Sequence, residues 1–279
     1  MSLLEEVFVI LAAVLLLWLA RWVQEWLYGQ PLRILLTESD NPAMGIALAG
    51  YMFGVFWTIT VLLGHLSYEL IPDILGVLLY GAVGIILLTL VALGTCRVCL
   101  GTAVQEPLVA GNVAAAIVVA GVYIATSLTY SGTLSGEGGG FWILLLFFLL
   151  GQVALMGITY GFRWLTSYDD VQEIAAGNVA AALAFAGVLI AVGLIVRRAV
   201  SGDYVGLWPS LSGFLLALFL VLVLYPVRQI LLQWIVLGGP MHWRATLLDH
   251  EIAQDKNVAV GLLEATAYIT AALFITNMV

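Results

Sequence analysis

Asn41-Pro-Ala-Met-Gly-Ile-Ala-Leu-Ala-Gly50 decides the reading of this chain, because three further versions of it open later hydrophobic runs: Asn112-VAAAIVVAG, Asn178-VAAALAFAG and Asn257-VAVGLLEAT. In every copy Ala stands two positions after Asn (Ala43, Ala114, Ala180, Ala259). Gly or Ala stands four after (Gly45, Ala116, Ala182, Gly261), and Ala eight after (Ala49, Ala120, Ala186, Ala265). A fixed pattern recurring four times is an internal repeat and sets the architecture before any local assignment. Composition gives the class: 63% hydrophobic and 9% charged residues with positive mean hydropathy over 279 residues describe an integral membrane protein.

Outward from the repeat, eight apolar runs approach the ~20 residues a membrane-crossing helix needs. They cover 6–27, 42–64, 72–95, 112–130, 141–161, 178–197, 207–236 and 257–278. The motif opens every even-numbered run, so the unit is a two-helix hairpin. Used four times in one orientation, it predicts an all-α membrane fold of eight transmembrane helices in parallel repeats, unlike the inverted repeats of many transporters. MSLLEE carries no Lys or Arg ahead of the first run, which is longer than a secretory apolar region, so the first span is read as uncleaved.

A second marker keeps the same period. Each odd-numbered run carries an Arg near its end, at Arg21, Arg97, Arg163 and Arg228. Gly and Pro follow the outer odd runs (Gly29, Pro31; Gly239, Pro240), and Val-Gln-Glu follows the inner ones (Val104 to Glu106; Val171 to Glu173). The Gly-rich stretch 133–140 reads as a flexible join between two four-helix halves, 1–132 and 141–279.

Most basic residues (Arg21, Arg33, Arg97, Arg163, Arg228, Arg244, Lys256) fall where odd runs lead into even ones, and only Arg197 and Arg198 lie at the other end. Positive-inside bias then puts the Asn motifs in the cytoplasm and both termini outside. Trp142 and Trp208 mark the outer interface, and Trp22, Trp26, Trp164, Trp234 and Trp243 the inner one. Between Gly238 and Lys256, Met241, Trp243, Leu247 and Leu248 alternate with polar residues as in a short interfacial helix. The net charge of −8 lies in short loops and argues against nucleic acid as a partner.

The four Asn residues, Asn41, Asn112, Asn178 and Asn257, suit helix N-caps, with Pro42 in the tolerated first turn. With Arg21, Arg97 and Arg163 they could instead form a cytoplasmic, anion-attracting vestibule. The small residues four and eight after each Asn make a ridge suited to close helix packing in lipid. Glu264 breaks the symmetry. It lies seven residues after Asn257, about 10 Å deeper on nearly the same face, where the other copies have Leu48, Val119 and Phe185. An ionisable group at that depth is either paired, with Arg228 as partner, or part of an ion or proton path; Gln152, Gln229 and Gln233 are candidate polar neighbours.

Cys96 and Cys99 flank Arg97 as C-x-x-C. They read as free thiols or a redox pair, since no nearby His completes a zinc site. His65, His242 and His250 lie near run ends, against a bis-histidine haem. No nucleotide loop, zinc-protease signature or serine elbow is present. The residues imply no cofactor, no metal and no catalytic set.

Gly111-NVAAAIVVAG and Gly177-NVAAALAFAG resemble the second helices of the YjfL-like bacterial inner-membrane proteins catalogued as domain of unknown function 350. The resemblance is best in repeats two and three. It implies two hairpins per typical member, so this chain would be a fused pair, with repeat four departing at Asp255-Lys256 and Glu264. It brings no activity. Relatives are encoded near envelope-stress proteins and peptide- or polyamine-ligating enzymes. Three readings follow: a conduit or transporter for a small ion or solute; a scaffold, homo-oligomer or membrane-complex subunit linked to envelope stress; and an enzyme using the Cys pair.

Overall fold

The computed structural model describes residues 3–38, 40–67, 69–238 and 247–278, with side chains from residue 6 onward. Its helices are α1 (Leu3–Tyr28), α2 (Leu32–Thr37), α3 (Pro42–Leu63), α4 (Leu70–Leu100), α5 (Gln105–Val109), α6 (Val113–Leu134), α7 (Gly140–Arg163), α8 (Asp170–Ala175), α9 (Val179–Val200), α10 (Leu207–Leu218), α11 (Val221–Arg228), a π-helix over Gln229–Val236, α12 (Leu247–Ala253) and α13 (Val258–Met278). Among the described residues there are no strands, and eight helices are long and apolar enough to cross a membrane. They match the eight apolar runs to within a few residues, so this is a multi-pass, all-α membrane protein. Gly239, Pro240, Met241, His242, Trp243 and Arg244, and with them most of the expected interfacial helix, lie outside the described residues.

Each repeat places a short helix, α2, α5, α8 or α12, just before its motif helix. The turn between them needs one residue in the left-handed region: Asp40 (φ 44°), Gly111 (φ 78°), Gly177 (φ 80°) and Lys256 (φ 51°). Gly meets this without steric cost, which is why Gly-Asn opens the two inner motifs. Asn then begins the helix. Its Oδ1 accepts from Ala43 N and Met44 N, Ala115 N, Ala181 N, and Ala259 N and Val260 N, in the four repeats.

The motif helices form the centre of the fold as an open row, α3 against α6, α6 against α9, α9 against α13. The inner pair is the most enclosed, with 78% of the span buried in both α6 and α9, against 39% in α3 and 44% in α13. Small residues make the row possible. A Cβ on Gly50 would lie 2.4 Å from Ala120 Cα, one on Gly121 2.9 Å from Ala186 Cβ, and one on Gly187 2.3 Å from Ala265 Cα. These are the same two motif positions at all three junctions, and they let backbones meet where lipid offers no hydrophobic drive. The next contacts advance together along both helices, Gly54 to Ser127 and Gly193 to Ala125.

The remaining long helices pack on this row: α1 and α4 on α3, α4 and α7 on α6, α7 and α10 on α9, and α11 on α13. Their lipid sides expose Leu, Ile and Phe, and Trp22, Trp26, Trp142, Trp164, Trp208 and Trp234 are all more than half exposed near span ends. The seventh span is not one α-helix. It breaks between α10 and α11, and with Pro226 inside α11 it continues as the π-helix. Proline removes a backbone donor and favours such a change of register. The Gly-rich join is docked rather than free: Glu137 N donates to Asp203 Oδ1 at 3.0 Å and Tyr204 N to the Glu137 carbonyl at 2.9 Å.

Candidate functional site

The Asn amides do more than cap. Asn41 Nδ2 donates to the Leu108 carbonyl at 2.8 Å, Asn112 Nδ2 to Ile174 at 3.0 Å, and Asn178 Nδ2 to Ile252 at 2.8 Å. Each motif helix is thus tied to the short helix of the following repeat. Asn257, last in the chain, turns its amide to Glu251 of its own repeat, at 2.9 Å. The four caps therefore stand one per repeat along the row.

The four Arg residues, equivalent in sequence, have different surroundings. Arg21 is exposed and bonds Glu25 on its own helix at 3.0 Å. Arg97 is exposed, and Cys96 and Cys99 beside it are buried and free. Arg163 is half-buried, with Nε 3.5 Å from Asp170 Oδ2 and Nη2 3.8 Å from Asp169 Oδ1, and it lies over the Tyr160 and Phe185 rings. Arg228 is 2% exposed.

Arg228 stands where α11 passes into the π-helix, and its Nε (2.8 Å) and Nη2 (2.5 Å) both donate to Glu264 Oε1 on α13. Asp249 of α12 lies 3.9 Å from Nη2, and the Tyr225 ring packs against the guanidinium. Glu264 and Asp249 are themselves 4% and 5% exposed. The Arg228 to Glu264 pairing matches the partner the sequence offered for Glu264. Gln229 donates to Tyr225 at 2.9 Å, and Gln229 and Gln233 are buried on the π-helix next to this group.

Sequence reading missed Asp249 and Asp170. Both stand eight residues before a motif Asn, where the first half has Arg33 and Val104, so an Arg–Asp pair is repeated in the second half alone. Asp170 is 3% exposed at the start of α8. Burial pushes its carboxyl up from the ordinary range to about 7, against the pull of Arg163. Burial also raises the Tyr168 phenol, helped by the charges of Glu264 and Asp170.

Two cavities flank these groups. The inner one offers about 20 Å³ and is lined by Thr159, Arg163, Tyr168, Asp170, Arg228, Asp249 and Glu264 among others. The outer one, of about 610 Å³, opens at the end opposite the Asn caps, where Asp73, Glu137, Arg198 and Asp203 ring an apolar floor that includes Phe147 and Phe214. Both have walls from α7, α9 and the seventh span. Between them on α7 lies Gln152, 5% exposed, with both amide atoms buried and without a hydrogen-bond partner; Thr159 Oγ1 is likewise buried and unpartnered. Gln152 and Thr159 are seven residues apart and so share a helix face.

A family model described as Domain of Unknown Function (DUF350) matches the chain twice, over residues 2–134 and 138–279. The two segments meet at the Gly-rich join. No curated protein and no solved structure matches.

Proposed function

The chain belongs to the domain of unknown function 350 family and carries that domain twice, and from the geometry of the second copy we propose that it is a conduit or transporter for a small ion or solute. The observation that carries this reading is the buried set Arg228, Glu264 and Asp249. The fold does not require it, because α3 and α6 pack in the same row with Leu48 and Val119 at the Glu264 position. Charged groups at membrane depth are costly and are retained where they serve a path. The outer vestibule, unpartnered Gln152 and Thr159, and the inner cavity follow one another along α7 and supply its proposed course. We place the Asn end in the cytoplasm, with both termini outside, on the distribution of Arg and Lys.

Proteoliposomes loaded with a pH-sensitive dye, under potassium and proton gradients, test the reading. Wild-type protein should pass an ion, and Glu264→Gln should change its rate or pH dependence. Unaltered flux in a folded, inserted Glu264→Gln protein would take this residue off the path.

The close seating of α3, α6, α9 and α13 favours a second reading, a non-catalytic scaffold or complex subunit. It predicts no flux from wild-type protein, and recovery of a stoichiometric partner through the connections 29–40 and 238–256. The Cys-based enzyme has little support, since both thiols are buried away from any substrate approach.

A further inference from the structure

We propose that Asp170 is the proton-exchanging carboxyl of the second half and that the species carried along α7 is the proton; this rests on the conduit reading above. Counting charges around the inner cavity leads to it. Three carboxyls line it, Asp170, Asp249 and Glu264, against two guanidinium groups, Arg163 and Arg228. With all five ionised, one negative charge is left over in a place poorly reached by water, and a buried site relieves that by protonating one acid.

Geometry selects which acid. Glu264 receives two N–H groups from Arg228 at hydrogen-bond distance, and Asp249 lies 3.9 Å from Nη2 of the same guanidinium. Asp170 has the 3.5 Å approach of Arg163 Nε and its own backbone N–H, with no guanidinium hydrogen bond as short as those on Glu264, and Arg163 also serves Asp169. Every neighbouring element adds to its surroundings: Cys99 from α4, Arg163 from α7, Tyr168 and Asp169 from the turn before α8, Glu173 on α8, Arg228 from α11, Asp249 from α12, and Glu264 and Tyr268 from α13. Burial sets the pKa of Asp170 near neutrality.

The small size of the inner cavity favours the proton as the carried species. About 20 Å³ is room for one water molecule and too little for a hydrated metal ion or an organic solute. The unpartnered Thr159 hydroxyl lines the same space, 2% exposed, and would hold that water. Gln152 lies further along α7 toward the vestibule, which starts at Phe147, about 18 Å from Thr159 along the helix. In the proposed step the Asp170 carboxylate takes a proton from the cavity water, which is replenished from the vestibule side. The neutral acid then returns the proton to solvent at the Asn end, where Asp169 is exposed. No bond other than O–H is made or broken.

The deciding experiment is infrared titration of reconstituted wild-type protein carrying carboxyl-¹³C aspartate, beside proton flux. One isotope-shifted carboxylic-acid band should fade as pH rises through about 6 to 8. It should vanish in Asp170→Asn, and it should move to lower pH in Glu264→Gln, where a neighbouring negative charge is gone. Proton flux should fall at least about tenfold in Asp170→Asn. No aspartic band in that range, or a band that survives Asp170→Asn, overturns the assignment; the wild-type spectrum decides even if the variant does not fold. Wild-type flux of another ion without protons overturns the proton while leaving the conduit, and no flux of any ion removes both.

Discussion

In residues 3–134 the arginines at the motif end stay outside the packing, Arg21 against Glu25 on its own helix and Arg97 exposed. In residues 140–278 Arg163 is half covered and Arg228 is enclosed by two acids. The scaffold beneath is the same in both halves. Gly50 meets Ala120 as Gly187 meets Ala265, and Asn41 is tied to the next repeat as Asn178 is. One packing solution therefore serves four repeats, and buried charge is added at one end of the row. Changes to charge should affect the halves unequally, and changes to packing should affect them alike.

The largest contrast should come from the arginines. Arg228→Ala leaves Glu264 and Asp249 buried without their cation, and breaking one side of a buried pair costs about 3–5 kcal/mol. Arg97→Ala, at the equivalent exposed position, should stay within about 0.5 kcal/mol of wild type. Reversible unfolding in detergent measures both. Equal losses would mean that the cluster is part of the common scaffold, contrary to its placement in one half. Adding Glu264→Val, the residue type of the Val119 position, to Arg228→Met should recover part of the stability, because one buried acid is then removed together with its cation.

Packing changes come next. Gly50→Val and Gly187→Val each push a side chain into the backbone of the facing Ala. Overpacking of that kind costs about 1–3 kcal/mol, and thermal scans of the two variants should give similar losses. Gly213→Ala is the control, because a Cβ there meets nothing within 4 Å. A loss confined to one half would show that the junctions are not equivalent.

Much of this comparison was legible in the residues. Asn with Gly or Ala at fixed offsets specified the motif helices and the face on which they meet, because close approach in lipid requires small side chains there. Glu264 and Arg228 were brought together by depth alone, seven residues past a cap against the end of the preceding span. Asp170 and Asp249 carried a signal that went unread, their shared place eight residues before Asn178 and Asn257, because they fall in polar connections where an acid is unremarkable until a short helix folds it inward. The arginines looked alike in sequence since only packing separates exposed Arg97 from enclosed Arg228. The outer vestibule had no local signature, being assembled from span ends of the first three repeats and the start of the seventh span.

The smallest expected effect tests whether anything besides charge separates the repeats. The residue before each motif Asn is left-handed in all four, yet only the inner two have Gly there; Asp40 and Lys256 hold φ values of 44° and 51° with side chains attached. A non-glycine residue in that region is strained by a fraction of a kcal/mol to about 1–2 kcal/mol, part of which Gly gives back through its freer unfolded chain. Asp40→Gly and Lys256→Gly should therefore each stabilise by about 0.5 kcal/mol, one in each half, with proton flux unchanged. Neither residue touches the cluster on α8, α11, α12 and α13, so an effect on flux from Lys256→Gly without one from Asp40→Gly would mean that the turn into α13 sets the position of Glu264. In that case the distinction between a uniform scaffold and an added site would have to be redrawn around the fourth repeat as a whole.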